Sequence, residues 1–271
     1  MDWEWSDLVR QYRFVFTIDL LRYGIAASLS YFLVWHLFAR QLGHRYIQKK
    51  RPAARQHWNE IKYSISSVAI YALVAVGIFI GNRHGVFHIY GTSEIYGTGY
   101  FIFSLVLLIF WHDTYFYWTH KWMHHPKIYK HVHRIHHKSV SPSPWTAYSF
   151  HPYEAIVQTL FVPIFLLVVP IQGYALALFM VYQIARNVVG HLGHELFHNA
   201  FVTNKFFNWI TTTTHHDQHH HYFNHNYGLY FTWWDKWMKT EHPHYKEEFL
   251  EVKNRKATTA DAGTSKPAKA A

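Results

Sequence analysis

Cysteine is absent from this chain of 271 residues. Its absence excludes disulfides, thiolate-ligated iron–sulfur clusters and a cysteine nucleophile within the sequence. If the protein carries out redox chemistry, we therefore expect its electrons to come from a partner.

Acidic residues are also few, with 16 Asp and Glu against 26 Lys and Arg, which gives a formal net charge of +10. No DNA- or RNA-binding motif accompanies the basic residues, so nucleic acid is not an expected partner. Attraction to anionic lipid headgroups explains the charge more simply. Aromatic residues, in contrast, make up 20% of the chain, as expected of a body that faces a membrane.

Apolar residues are concentrated in four regions. Three are single runs, at residues 17–39, 63–81 and 100–118, and each approaches the roughly 20 residues needed to cross a bilayer. The fourth, residues 155–190, predicts a helical hairpin that is broken near residues 170–173 and whose short halves tilt or dip into the membrane. The predicted fold class is all-α, an integral membrane protein with about four transmembrane or membrane-dipping helical units. The alternative is that these apolar regions form buried helices in the core of a soluble protein.

Basic residues crowd the stretch between the first two apolar runs. Residues 40–62 contain seven Lys and Arg against the single acid Glu60, which predicts a cytoplasmic loop. The next two runs return the chain to the same side just before His120, and the hairpin begins and ends there. We therefore expect the histidine-rich segments to form a helical cap on the cytosolic face of the membrane.

Histidine is abundant and clustered. Of 25 histidines, eighteen lie in two windows, residues 112–151 and 191–225, whereas chance would scatter them. Residues three and four apart share one helix face, so a cluster with this spacing directs its imidazoles toward a common point. Eight such ligands can hold two metal ions with coordination positions left open. Three clusters have this spacing: His120 and His124; His133, His136 and His137; and His216, His219 and His220.

Further candidate ligands follow the predicted hairpin. We favour His191, keep His194 as a candidate, and regard His198 as equally consistent with a peripheral position. His125 is the alternative to His124, because a slight helix distortion would change which ring faces the metal. With imidazole ligands and no thiolate, iron, zinc, copper and nickel are all compatible, but an oxidative role requires iron or copper.

Two carboxylates lie next to candidate ligands in the sequence. Metal-bound histidines usually donate their second ring N–H to an acceptor, so Asp113 and Asp217 are candidates for orienting an imidazole. Helix capping is the competing explanation for each.

Four motifs resemble the fatty acid hydroxylase superfamily of membrane di-iron enzymes. The first two are HDTYFYWTHKWMHHP at residues 112–126 and HRIHHK at residues 133–138. The other two, SFHPYE at residues 149–154 and HHDQHH at residues 215–220, look most like the sterol C-5 desaturase branch. The similarity covers about residues 100–240.

The resemblance implies a largely helical oxidoreductase that hydroxylates or desaturates a membrane lipid, sterol-like or fatty acyl. It implies two iron ions, which zinc can replace on overexpression, dioxygen as cosubstrate, and electrons from a b-type cytochrome or a ferredoxin with its reductase. The membrane would be a bacterial inner membrane or the endoplasmic reticulum. The implied ligands are the eight clustered histidines and His191. A metal-handling membrane protein for zinc or iron is the alternative, although such proteins usually place their ligands near the bilayer midplane.

Three parts of the chain follow from these features. Residues 1–99 are predicted to form N-terminal membrane helices with the basic cytosolic loop, and residues 100–250 a fatty acid hydroxylase-like catalytic domain. Residues 251–271 are rich in Ala, Lys and Thr without apolar periodicity, which predicts a disordered tail.

Overall fold

The computed structural model of the protein describes residues 4–91 and 95–256. These residues are mainly helical, in agreement with the predicted fold class. The α-helices are α1 (Trp5–Tyr31), α2 (Ala39–Leu42), α3 (Ala54–Arg83), α4 (Gly97–Met123), α5 (Pro126–Val132), α6 (Pro152–Thr159), α7 (Phe161–Leu166), α8 (Gly173–Gly190), α9 (Ala200–Thr203), α10 (Thr213–Tyr222), α11 (Trp233–Trp237) and α12 (Tyr245–Asn254). A π-helical segment (Phe32–Leu37) extends α1, and 3₁₀ segments are Gly43–Arg45, His136–Lys138 and Pro144–Tyr148. Two short strands are β1 (Ile89–Tyr90) and β2 (Ile171–Gln172).

One core joins α1, α3 and α8 around the 3₁₀ segment Pro144–Tyr148. Buried small and aromatic side chains, including Ala27, Val68 and Tyr148, fill this contact. The Trp145 carbonyl accepts hydrogen bonds from Tyr23 Oη at 2.9 Å and from Ser64 Oγ at 3.1 Å. Two helices thus hold the connection between α5 and α6 inside the bundle, because a buried carbonyl must find a donor.

A second core lies between α4, α7 and α8. It contains Leu108, Phe165, Leu166 and Phe179, all nearly or fully buried. At the end of the bundle away from the histidines, β1 and β2 pair in parallel, with Ile89 opposite Ile171.

Among the described residues, two helices, α3 and α4, are long and apolar enough to cross a membrane. The first predicted run, residues 17–39, corresponds to the second half of α1 and its π-helical extension, but α1 begins as early as Trp5 and carries the Asp19–Arg22 ion pair. The predicted break in the hairpin is confirmed, since β2 and the start of α8 occupy residues 171–173. The count of four crossing or dipping units stays a prediction.

The outer face of α1 presents an apolar stripe. Phe14, Ile18, Leu21, Ile25 and Leu29 recur at helical spacing and are each between 45% and 63% exposed. A contiguous exposed apolar surface of this kind marks contact with a membrane or another protein. The stripe agrees with the predicted bilayer contact of this part of the chain, which stays a prediction.

The basic loop lies at the histidine end of the bundle. The Ile47 N–H donates to the Gly193 carbonyl at 3.0 Å, and the Glu195 N–H donates to the Arg45 carbonyl at 2.9 Å. The loop therefore packs against the segment that follows His191, as their predicted placement on one side requires. The cytoplasmic identity of that side stays a prediction.

Two predicted boundaries fall within helices. Helix α4 begins at Gly97, so a division between residues 99 and 100 would cut a helix. Helix α12 continues to Asn254, inside the predicted tail of residues 251–271, because buried Phe249 and Val252 pack its last turns. The remainder of that tail, residues 257–271, lies outside the described residues.

Candidate metal centre

Five elements bring the histidines together at one end of the bundle. The last turn of α4 carries His120, and His124 and His133 directly follow α4 and α5. The 3₁₀ segment His136–Lys138 supplies two rings, His191 directly follows α8, and α10 presents the last three. Nine of the ten predicted ligands form two groups, within each of which the ligand atoms lie within 4.8 Å of one another. The first group is His120, His124, His133, His137 and His219; the second is His136, His191, His216 and His220.

The first group converges on His137. Its Nε2 atom lies 3.1 Å from those of His124 and His133 and 3.0 Å from that of His219. The Nε2 atoms of His120 and His133 are also 3.0 Å apart. Except for half-buried His124, every ring of this group is buried.

The second group converges on His191. Its Nε2 atom lies 3.0 Å from that of His216, 3.2 Å from that of His220 and 3.4 Å from that of His136. All four rings are buried. The groups adjoin, since the rings of His137 and His220 have centroids 4.9 Å apart.

Hydrogen bonds at the outer ring nitrogens determine which atoms face inward. His120 Nδ1 donates to the Tyr227 carbonyl at 2.9 Å, and His133 Nδ1 donates to the Glu154 carboxylate at 2.7 Å. His191 Nδ1 donates to the Asn187 carbonyl at 2.8 Å, and His219 Nδ1 to the His225 carbonyl at 2.6 Å. A neutral imidazole has one N–H, so the Nε2 atoms of these four rings carry lone pairs.

The converging lone pairs fit a cation. The Nε2 atoms of His120 and His133 are both acceptors and yet lie 3.0 Å apart, an arrangement that repels unless a positive charge lies between them. Two nitrogen ligands bound at about 2.1 Å stand about 3.0 Å apart at a right angle and about 3.4 Å apart at the tetrahedral angle. The distances in both groups span this interval, so each group can bind one metal ion.

Burial keeps the histidines after α5 and those of α10 in the neutral form that binds metals. Desolvation holds the pKa values of His133, His136 and His219 well below their ordinary range, and the neighbouring histidines lower them further. A lowered pKa favours the neutral imidazole, which is the species that binds metals.

The remaining histidine candidates lie outside the two groups. His194 is buried between the rings of Trp35 and Tyr46, and its Nδ1 faces the Leu192 carbonyl at 3.3 Å. It thus packs between α1 and the basic loop. His198 is exposed, whereas His125 precedes α5 and accepts from the Lys127 N–H. Of the two adjacent rings, the structure therefore brings His124 and not His125 to the first group.

Asp113 and Asp217 have partners other than the histidine groups. The Asp113 carboxylate accepts from the N–H groups of Tyr230 and Phe231 and from the Trp233 indole, which fixes the segment after α10 onto α4. Asp217 accepts from the Gln48 amide and faces away from the metal groups into a surface groove. The prediction that they orient imidazoles is thus not supported by their hydrogen bonds.

Within the described part of the chain, Glu154 is a carboxylate that does contact a candidate ligand. It is fully buried in the first turn of α6 and accepts from His133 Nδ1. Glu154 was not among the residues predicted from the sequence, because 21 positions separate it from His133. The available signal was a lone acid at the start of an apolar helix, where burial requires a partner.

A mainly apolar cavity of about 650 Å³ is lined by residues that contact the second group. It lies between α1, α3, α4, α7 and α8, and its wall includes Phe150 and Asn187. The Phe150 ring has its centroid 5.0 Å from that of His136, and the Asn187 carbonyl holds His191. His112 also lines the cavity, stacks on Phe161 at 3.9 Å and is hydrogen bonded to the Tyr230 hydroxyl.

Residues 105–240, half of the chain, match the family model for fatty acid hydroxylase. All nine grouped histidines lie within this range. The chain belongs to the fatty acid hydroxylase family. The resemblance read from the four motifs is confirmed, and the matched range agrees with the predicted span of residues 100–240.

Relatives of this family member include sterol desaturases. The chain is 35% identical over 216 residues to a Delta(7)-sterol 5(6)-desaturase of Gibberella zeae, which covers 79% of this chain and 63% of that protein. It is 28% identical to a probable Delta(7)-sterol 5(6)-desaturase of Neurospora crassa, over 86% of this chain and 65% of the relative. It is also 28% identical to the Delta(7)-sterol 5(6)-desaturase of Saccharomyces cerevisiae, over 85% of this chain and 61% of the relative. The match thus spans less than two thirds of each of these relatives. No solved structure matches the chain.

Proposed function

We propose that the protein is a membrane-bound oxidoreductase that uses two iron ions, dioxygen and external electrons to desaturate or hydroxylate a sterol-like lipid. The observation that carries this proposal is the pair of adjoining all-histidine groups at the end of an apolar cavity. An acid or base cannot activate a carbon–hydrogen bond of such a lipid, because the bond is neither acidic nor basic. Its oxidation therefore requires a redox metal. When bound, iron would supply the activation of dioxygen.

The donor set supports two catalytic ions better than structural zinc. Nine imidazoles, eight of them buried, exceed the four ligands that a closed structural zinc site uses, and zinc has no redox chemistry. The five histidines of the first group and His136, His191, His216 and His220 of the second would hold one ion each. Zinc would bind the same nitrogens when iron is scarce, because imidazole suits both metals.

The chain's own residues would position the lipid and exclude water. Along α8 the cavity is lined by Gly173, Leu176, Met180, Gln183 and Asn187, which share one helix face. This face runs for about 21 Å and stops one turn before His191. A lipid lying along α8 would therefore reach the second group with one end. The aromatic rings of Phe150 and Phe116 would keep bulk water from the reacting carbons.

The relatives favour desaturation over hydroxylation and a sterol over a fatty acyl chain, because their names state that they are sterol desaturases. Loss of two hydrogens from neighbouring carbons gives the double bond. Return of oxygen to the carbon gives an alcohol instead, and small differences in the position of the lipid decide between these outcomes.

We further propose that a separate redox protein, a b-type cytochrome or a ferredoxin with its reductase, supplies the electrons. A groove of about 800 Å³ lies on the opposite side of α10 from the grouped histidines and includes Asp217 and Gln218 of that helix. Exposed Lys49, Lys50 and Lys138 border it. An acidic redox protein would be steered to this basic groove.

A membrane location follows from the apolar helices and the lipid substrate. Helices α3 and α4 would cross the bilayer, and the lipid would enter the cavity laterally. The basic loop and the histidine groups would face the cytoplasm, in a bacterial inner membrane or the endoplasmic reticulum.

The decisive experiment compares membranes of a host that expresses the intact protein with membranes containing His136→Ala at equal abundance. Sterols, acyl lipids and carotenoids are supplied, and accurate-mass analysis detects the products. We expect a sterol that has lost two hydrogens only with the intact protein. A gain of one oxygen would instead identify a hydroxylase.

The matched control is His198→Ala, because His198 is exposed and lies outside both groups. It should form as much product as the intact protein. If every lipid were unchanged despite measured iron loading and an active electron donor, the oxidoreductase proposal would be wrong and a metal-handling function would be favoured.

A further inference from the structure

The rings beside the two metal groups differ in how readily they are oxidised. Among the described residues, the one ring other than histidine that contacts the second group is Phe150. The first group, in contrast, contacts Tyr227, whose ring centroid lies 5.1 Å from that of His124 and 5.5 Å from that of His219. A tyrosine or tryptophan ring gives up one electron far more readily than a phenylalanine ring. An oxidisable ring thus lies beside the first group and not beside the second, which the lipid would reach.

Tyr227 is the first of several oxidisable rings in contact with one another. The centroid of Tyr117 lies 6.2 Å from that of Tyr227 and 5.8 Å from that of Trp234, on which it stacks. Such distances are typical of aromatic pairs in contact, whose centroids stand about 4.5–7 Å apart. Both tyrosines are buried. Electrons can therefore pass from Trp234 to the first group through rings that touch.

Two exposed tryptophans complete this series of rings. Trp237 lies 5.3 Å from Trp234, and Trp118 lies 5.5 Å from Trp234 and 5.4 Å from Tyr117. Trp237 is 62% exposed and Trp118 is 44% exposed. We name the five side chains the aromatic row, which begins beside the first metal group and has two ends at the surface: Tyr227, Tyr117, Trp234, Trp118 and Trp237.

A proton acceptor is available to Tyr117. Thr240 Oγ1 donates its single proton to Asp235 Oδ1 at 2.7 Å, so the Tyr117 hydroxyl, which lies 2.9 Å from Thr240 Oγ1, donates to Thr240. Burial raises the pKa of Asp235 to about 6, which makes it a stronger base than an exposed carboxylate while it is still ionised near neutral pH. A tyrosine releases its hydroxyl proton when it loses an electron. The proton of Tyr117 can therefore pass through Thr240 to Asp235.

Packing alone does not account for the order of these rings, since phenylalanine would fill the same places. Tyr129 also lies beside the first group, 5.5 Å from His124, but within the described part of the chain its one contact with a ring other than histidine is Phe223. A route for electrons would stop there. No member of the aromatic row lines the cavity, so the row and the lipid would not compete for space.

We propose that the aromatic row carries single electrons from a soluble thiol to the first metal group when dioxygen has been activated with no lipid in the cavity. Oxidising equivalents that meet no lipid would otherwise attack the histidine ligands, a competing reaction that a redox site has to prevent. The inference rests on the proposed function and adds a protective activity to it.

Each transfer moves one electron inward and leaves the aromatic row unchanged at the end. Tyr227 gives an electron to the first group and its hydroxyl proton to water. Tyr117 then restores the electron of Tyr227, which takes a proton back from water, while the proton of Tyr117 passes to Asp235. Trp234 reduces Tyr117, which regains that proton, and Trp237 reduces Trp234. A thiol finally reduces Trp237 and releases a proton, and two of the resulting thiyl radicals combine to a disulfide.

The test follows radicals by electron paramagnetic resonance in the purified, iron-loaded full-length protein. The protein is held in nanodiscs of saturated phospholipid without sterol. Hydrogen peroxide supplies the oxidising equivalents directly, so no electron donor is needed, and samples are frozen at successive times. We expect a tyrosine signal followed by a tryptophan signal in the intact protein, and both should disappear sooner when glutathione is present. Protein grown with ring-deuterated tyrosine identifies the tyrosine signal by its altered hyperfine structure.

Tyr117→Phe interrupts the aromatic row between the metal group and both exposed ends. The tryptophan signal should be lost, the signal of Tyr227 should remain, and glutathione should no longer shorten its lifetime. Mass spectrometry should then find more oxidised histidine than in the intact protein, in the peptides that carry the first group. This readout does not depend on lipid oxidation.

Trp118→Phe combined with Trp237→Phe changes only exposed rings, so it keeps the inference testable if Tyr117→Phe fails to fold. This double variant should retain the radical signals but lose their response to glutathione. The matched control is Trp58→Phe combined with Trp122→Phe, which changes two equally exposed tryptophans outside the aromatic row. The control should behave as the intact protein does.

Three results would overturn the inference: no tyrosine or tryptophan radical in the intact protein with measured iron content, equal response to glutathione in the intact protein and the exposed double variant, or slower anaerobic reduction of the iron by a b-type cytochrome in that variant. The last result would make the aromatic row the entry path for donor electrons. Radical transfer without any change in lipid mass would leave the inference intact and contradict the proposed function. Lipid oxidation without radicals on the row would do the reverse.

Discussion

At the scale of single residues, the assignment of Nδ1 and Nε2 depends on acceptors that are distant in sequence. Glu154 accepts from His133, and the Tyr227 carbonyl accepts from His120, across 21 and 107 positions. A carboxylate acceptor raises the basicity of the ligand nitrogen and fixes the ring. Glu154 is therefore the side chain outside the two groups whose loss should weaken metal binding most directly.

Glu154→Leu is expected to lower the affinity of the first group for iron by about 10- to 100-fold, the usual effect of losing such a partner. The measurement is iron retention by the purified protein against increasing chelator concentration. Glu154→Gln keeps an oxygen acceptor at the same place and should lose much less. Equal retention by the Leu variant and the intact protein would contradict the role of Glu154.

The structure groups nine of the ten histidines that the sequence predicted as ligands. The exception is His194. His191 and His194 are three apart, which would place them on one face of a continuing helix. Helix α8 instead ends at Gly190, and Gly193 adopts a φ of 71°, so the chain turns and directs His194 toward Trp35.

At the scale of elements, a buried glutamate connects α3 to the loop that carries two candidate ligands. Glu60 accepts from Ser139 Oγ at 2.7 Å, from Ser143 Oγ at 2.6 Å and from Gln56 Nε2 at 2.7 Å. Ser139 follows the 3₁₀ segment His136–Lys138 directly. This network fixes the end of a segment that has little regular structure of its own.

Glu60→Ala should loosen that loop, because it leaves buried hydroxyls without their acceptor, at a cost of about 1–3 kcal/mol. Hydrogen–deuterium exchange should rise in the peptide covering residues 136–143 and stay unchanged in α12. Glu247→Ala, at an exposed position of α12, is the control and should leave the exchange of the loop unchanged. Unaltered exchange in Glu60→Ala would show that the loop is held by other contacts.

Apolar periodicity predicted the helices better than their ends. The break near residues 170–173 was readable because proline and glycine interrupt the apolar run there. The division of the first half of the hairpin into α6 and α7 was not readable, since residues 152–166 form a nearly continuous apolar stretch. The extension of α12 to Asn254 depends on tertiary burial of Val252, which local composition does not reveal.

At the scale of the whole molecule, charge and apolarity divide between two parts of the surface. The apolar stripe on α1 and the two membrane-length helices lie in the bundle, whereas the basic loop packs at its histidine end. Within the groove beside α10, Arg51 packs against Trp35 and Tyr46, and Arg255 donates to the Tyr46 carbonyl. These two arginines hold the groove's shape, while Lys49, Lys50 and Lys138 are exposed.

The exposed lysines should control electron delivery if the groove receives an acidic redox protein. Lys49→Glu combined with Lys50→Glu is expected to slow reduction by a reduced b-type cytochrome about tenfold at low ionic strength, since steering of this kind changes association rates by 10- to 1,000-fold. The difference in rate between the variant and the intact protein should shrink as salt is added, because screening weakens the attraction between the intact protein and the cytochrome. Stopped-flow absorbance of the cytochrome measures the rate.

Two controls separate docking from damage to the fold. Lys246→Glu changes the same charge on exposed α12, outside the lining of the groove, and should reduce the rate much less. Reduction by a small uncharged reductant should be equal in the intact protein and in the Lys49 and Lys50 variant, because such a molecule is not steered by charge. A matching loss with the uncharged reductant would point to structural damage, and an unchanged cytochrome rate would place the donor on another surface.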